Sequence, residues 1–166
     1  MRDRDPQGRP RSARPRDEYG RPLPHDAEGV PRVPDDYAPT GEEAVAEAVR
    51  LLAEERPFHA HEVLEARWKS GPPGERELWQ GLAQICVGLT HLQRGNRRGA
   101  ETLLSRGADR IGSFTRPTGP APDEGGGRPY GIDVAEAVRC SLSLAARAEE
   151  VGPAPAITLI RRTLGG

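Results

Sequence analysis

The feature that most constrains this chain is a sixteen-residue run, Leu78 to Gln93, that contains no charged side chain. It is shorter than the roughly 20 residues a membrane span needs, and Gln80, Gln84 and His91 interrupt it. It is therefore expected to form a helix buried on nearly all sides. Leu78, Leu82, Ile85, Leu89 and Leu92 cover one flank, whereas Gln80, Gln84 and His91 fall within about 40° of one another on a second. Gly81 and Gly88 lie between the two stripes and would let a neighbouring backbone approach closely. Buried amides and an imidazole need polar partners, so the run implies a second polar face elsewhere in the chain.

The stretch Phe58-His59-Ala60-His61-Glu62-Val63-Leu64-Glu65-Ala66-Arg67-Trp68 offers one. On a helix, His61 and Glu65 lie within about 40° of each other, on the same side as Phe58, Leu64 and Trp68, with Glu62 at the edge. A carboxylate among packing residues costs several kcal/mol unless it is paired. The expectation is that His61, Glu62 and Glu65 meet Gln80, Gln84 and His91 across the interface of these two helices, with Arg67 or Arg94 neutralising an acid.

Around this pair the chain reads as helices throughout. Thr40-Gly41-Glu42-Glu43 fits a capping box that opens a first helix, with Val45, Ala48, Val49 and Leu52 on its apolar face and Pro57 as its stop. The second helix follows from about Phe58 to Lys69, and Ser70 to Gly74 is a loop. The third runs from about Glu75 to Arg94 and closes at Gly95. Asn96 caps a fourth, in which Ala100, Leu103, Leu104, Ala108 and Ile111 recur, and the short link makes helices three and four antiparallel neighbours. Gly112 to Gly131 reads as a flexible crossing. Asp133 and Glu136 cap a fifth helix with Val134, Ala137, Val138, Leu142 and Ala145 on one face, ended by Gly152-Pro153. The apolar tail Ala156 to Leu164 is of undecided type.

The fold class is thus all-α: a compact multihelical domain of about five helices over residues 40–151, followed by a tail, 152–166, that docks or stays flexible. Residues 1–39, with eight prolines, eight arginines and eight acids, read as an extended or disordered arm. The total of 17 prolines and 20 glycines, at 35% hydrophobic content, fits a core-forming domain beside much non-core chain. Met1 to Arg16 lacks the apolar run of a secretory signal, so the expected location is cytoplasmic. Cys86 and Cys140 fall in apolar helical contexts and are expected to be reduced core thiols.

The joint spacing of His61, Glu62, Glu65 and Trp68, then Leu78-Trp79-Gln80-Gly81-Leu82-Ala83-Gln84, then His91-Leu92-Gln93-Arg94-Gly95-Asn96 with Gly99-Ala100, resembles the family known as domain of unknown function 309. The resemblance spans roughly Gly41 to Ile111. It implies a small, soluble, helical protein and supplies no reaction, because the activity of that family is not established.

Three functional readings compete. In the first, His61, Glu62, Glu65, Gln80, Gln84 and His91 form a structural polar network that fixes helix register in a binding or interaction protein. In the second, the protein is a metal-dependent hydrolase or other small-molecule-binding enzyme. His61, Glu65 and His91 would hold a divalent metal, and Glu62 or Glu65, its pKa raised by burial, would accept a proton from activated water. Histidine is missing where the zinc-protease pattern needs it, at Glu65, and the di-iron pattern of carboxylate and histidine three apart on two helices is absent. In the third, Arg97 and Arg98 in the first turn of the fourth helix bind an anion or nucleic acid, or answer a nearby acid such as Glu62. The balance of 24 Lys+Arg against 25 Asp+Glu argues against nucleic acid, and nothing points to a membrane. Self-association through the arm or the Trp68/Trp79 region stays open, and a homo-oligomer is compatible with it.

Overall fold

The computed structural model describes residues 36–115 and 128–166. The arm expected over 1–39 lies outside the described residues up to position 35, as does 116–127 of the expected crossing. The described residues form an all-α structure of six α-helices and two short 3₁₀ turns.

The first helix, α1, spans Gly41–Ala53 and opens on the expected capping box. The Glu43 amide donates to the Thr40 hydroxyl at 3.1 Å, and the Thr40 amide donates to the Glu43 carboxylate at 3.2 Å. The helix ends before Pro57 is reached. Glu55 turns the chain with a positive φ of 57°, and Pro57 becomes the first residue of α2, Pro57–Ser70, where its missing N–H costs nothing. A 3₁₀ turn, Pro73–Glu75, leads into α3, Arg76–Gln93. Gln93 at its end donates to the Glu55 carbonyl at 2.7 Å, tying α3 to the α1–α2 turn.

Gly95, at φ 73°, reverses the chain into α4, Arg97–Thr115. This helix runs past Gly112, where a loop was expected, because Ile111 is buried and Phe114 packs against the core. The glycines let α3 and α4 pack closely. A Cβ on Gly81 would stand 2.9 Å from the Gly107 carbonyl, one on Gly88 would stand 2.8 Å from Leu104, and one on Gly107 would stand 2.7 Å from the Gly81 carbonyl.

The second 3₁₀ turn, Pro129–Gly131, precedes α5, Val134–Ala146, whose N-cap Asp133 accepts from the Glu136 amide at 3.1 Å. The inward face of α5 is turned relative to the expected one. Ser141 and Leu144 are buried and Leu142 is exposed, because a small hydroxyl takes an inward place that hydrophobicity alone would deny it. The tail contributes a sixth helix, α6, Pro153–Thr163, opened by the Gly152-Pro153 pair expected only to stop α5. Ala156, Ile157, Ile160 and Leu164 join the core formed by Leu52, Leu64, Trp79, Leu82, Ile85, Leu89 and Leu104. Cys86 and Cys140 are free and buried, and burial pushes the Cys86 thiol up to about 12. No helix among the described residues is long and apolar enough to cross a membrane.

Candidate functional site

The polar contacts of α2 and α3 fall into three local sets. On α2, His61 Nδ1 lies 2.8 Å from the Phe58 carbonyl and Nε2 lies 3.1 Å from a Glu65 oxygen. Each ring nitrogen of His61 thus faces an oxygen acceptor. Lys69 holds the other Glu65 oxygen at 2.8 Å. The His61 ring pulls the Glu65 carboxyl down to about 2, against the effect of burial and with help from Lys69. This reverses the raised pKa that the hydrolytic reading required, because about a third of Glu65 faces water and the His61 ring and Lys69 both bond it. Glu62 is half-buried on the same helix, with one carboxylate oxygen shielded from solvent. Among the described residues the most buried imidazole is that of His59, packed edge-on against Phe58 at 5.7 Å.

The amides of α3 point to α4. Arg110 donates through Nε to the Gln84 side-chain carbonyl at 3.2 Å and through Nη1 to that of Gln80 at 3.1 Å. The same nitrogen reaches Glu77 at 3.3 Å. The partner expected from α2 is thus an arginine of α4. Sequence reasoning missed it, although a signal exists: Gln80 and Arg110 stand equally far from Gly95, so an antiparallel hairpin turning there sets them opposite each other.

His91 belongs to the turn between α3 and α4. The Gly99 amide donates to Asn96 Oδ1 at 3.0 Å, which directs the Asn96 amide nitrogen toward His91 Nδ1 at 3.1 Å. The Nδ1 atom is then an acceptor, and the ring is neutral with its proton on Nε2. Partial burial, with the Arg94 charge adding to it, lowers the His91 pKa below its ordinary value and favours that form. Gly99 leaves the space this needs, since a Cβ there would come within 2.8 Å of both side chains. His91, Gly95, Asn96 and Gly99 therefore build one turn.

No group of three or more His, Cys, Asp or Glu side chains among the described residues is placed to hold a metal ion. The expected ligand set His61, Glu65 and His91 is therefore not assembled among the described residues. Arg97 is paired with Glu149 beyond α5 and lies 3.7 Å from Glu101, so acids other than Glu62 answer it, and Arg98 is exposed.

A fourth set was not foreseen as a unit. Arg67 donates to Glu75 at 3.2 Å and to the Pro39 carbonyl at 3.3 Å, and its guanidinium lies 5.5 Å from the Trp79 ring centroid. Trp79 Nε1 donates to Glu75 at 3.1 Å, and the Tyr130 hydroxyl donates to the same carboxylate at 2.8 Å. The sequence carried no signal for Tyr130, which is brought here by a turn far along the chain.

The "Uncharacterized protein YpuF" of Bacillus subtilis (strain 168) is 43% identical to this chain over 49 residues, covering 29% of the chain. The chain spans 28% of the length of that curated relative. No solved structure matches. Residues 45–103, which include α2, α3 and the His91–Gly99 turn, match the model of the family described as Domain of unknown function (DUF309), in agreement with the resemblance carried by the motif.

Proposed function

We propose that this protein is a helical binding or interaction module in which the motif residues build the scaffold and do not react. One observation carries this reading: His61, Glu65, Gln80, Gln84 and His91 each direct at least one polar atom to a neighbour in the same helix or across one hairpin. Both ring nitrogens of His61 face protein oxygens, and a carboxyl held near 2 is a poor base at neutral pH. Arg110 locks the register of α4 on α3 through two amides, and Asn96 with His91 locks the turn that joins them.

The test is a set of thermal melts of the wild type and of Arg110→Ala, Asn96→Ala and His61→Ala, with and without added zinc, manganese or iron. Losing such a hydrogen bond costs about 1 kcal/mol, and Arg110, which makes several, about 1–2 kcal/mol. The expected result is a fall in melting temperature of about 3–6 °C per variant, largest for Arg110→Ala. The wild-type melt is expected to be indifferent to metal. A metal-dependent rise in the wild type that His61→Ala abolishes would overturn the reading.

A further inference from the structure

The set centred on Arg67 lies apart from the three above and has the form of a socket with a plug. Trp79 supplies one wall, its ring centroid 5.4 Å from that of Tyr130, and the Arg67 guanidinium caps both rings, at 5.5 Å and 5.9 Å. Gly41 leaves room on another side, where any side chain would strike the Tyr130 ring. At the closed end the Glu75 carboxylate accepts from the Tyr130 hydroxyl at 2.8 Å, while Arg67 Nη2 lies 3.4 Å from the same oxygen and can donate to it. The pocket thus reads a phenol three ways: a flat ring, a donated proton and an accepted one. Arg67 is nearly buried, yet its Nε has no hydrogen-bond partner, and Gly71 makes the space for it, since a Cβ there would stand 2.9 Å from that nitrogen.

The plug is held differently from the rest of the core. Tyr130 takes a φ of 56°, a left-handed conformation that a bulky residue adopts only when its surroundings impose it. The backbone bonds of its turn close within the turn itself, from the Gly131 amide to the Arg128 carbonyl and from the Ile132 amide to the Pro129 carbonyl. The side chain of Tyr130 bonds this turn to the socket through Glu75 and Arg67. Release of the ring would therefore remove the contacts that hold Tyr130 in this conformation.

We propose that Pro129–Gly131 is a displaceable strap, and that Arg67, Glu75, Trp79 and Gly41 form a binding site for a phenolic ring, of which Tyr130 is the intramolecular, competing occupant. The site accepts either a free phenol or a tyrosine side chain of another chain.

The full-length Tyr130→Gly variant tests this, because glycine suits the positive φ and vacates the socket. At millimolar concentration p-cresol is expected to raise the melting temperature of the variant by about 2–3 °C, through mass action on the folded state, and to leave the wild type unmoved. Toluene, which lacks the hydroxyl, is expected to move neither. Tighter binding of a peptide of residues 128–132 than of p-cresol would identify a chain-borne tyrosine as the outside occupant, and weaker binding a free phenol. A folded variant that does not distinguish p-cresol from toluene overturns the proposal. Should the variant not fold, indole hydrogen exchange in the wild type decides, with Trp68→Phe used to assign the Trp79 resonance. Exchange of Trp79 about tenfold or more faster than the slowest core amides supports a separable strap, whereas exchange at the core rate overturns it.

Discussion

His91 and His61 show how two imidazoles in one small fold meet opposite kinds of neighbour. His61 faces a carbonyl and a carboxylate, whereas His91 faces an amide donor and must keep a lone pair on Nδ1. Because burial lowers the His91 pKa in the folded chain, the unfolded chain takes up the proton first, near pH 6.5. In that window the unfolded state binds more protons, so this residue's contribution is complete above about pH 6.5 and is lost as the pH falls through it. Protonation would also set a donor against the Asn96 amide nitrogen. Urea unfolding at pH 7.5 and pH 5.5 should therefore show a smaller drop in stability for His91→Gln than for the wild type. Equal drops would show that the turn does not sense the proton.

The pairing of α3 with α4 is where small residues matter most. Gly81 and Gly107 face each other so closely that each Cβ would meet the other's carbonyl within 3 Å, and a helix backbone cannot move aside as a side-chain tip can. Gly107→Ala would gain about 1 kcal/mol of helix propensity against an overpacking cost of about 1–3 kcal/mol. A net loss of up to about 2 kcal/mol, read from the denaturation midpoint, is expected; a stabilised variant would mean that the two helices slide apart at little cost. Much of this element was legible in advance. The charge-free run marked a buried helix, its glycines a close neighbour, and Gly95-Asn96 the turn. Which neighbour takes the amides was not legible from periodicity, because a helical angle defines a face and not the helix opposite it. For the same reason Glu65 seemed to need rescue from α3, whereas Lys69, one turn along its own helix, already provides it. The rotated face of α5 has a related cause, since Ser141 is small enough to be buried beside Ala137, Leu144 and Ala145, and Leu142, about 100° round the helix from it, faces outward. Tyr130 had no local signature at all: nothing in the sequence around a bulky residue announces a positive φ imposed from across the fold.

At the scale of the whole molecule, the open issue is where the cooperative unit ends. A domain closing at position 151 would leave out α6, yet Ile157, Ile160 and Leu164 are each at most 3% exposed and belong to the same core as Trp79 and Leu89. The Thr163 carbonyl also accepts from the Asp133 amide at 2.8 Å, beside the cap of α5, so α6 helps to fix the start of the preceding helix. Burying three large aliphatic side chains is worth about 1.5–3 kcal/mol each, an upper bound because the unfolded chain already hides part of that surface. The sum of about 4.5–9 kcal/mol is comparable with the roughly 5–15 kcal/mol by which a typical domain is stable. A chain ending at residue 151 should therefore lose its sharp thermal transition and bind a hydrophobic dye such as ANS at 25 °C, while keeping much of its helical circular dichroism. A truncated chain that melts cooperatively within a few degrees of the full one would place α6 outside the folding unit. In that case the match of the family model to residues 45–103 would mark the centre of a stable domain that ends with α5.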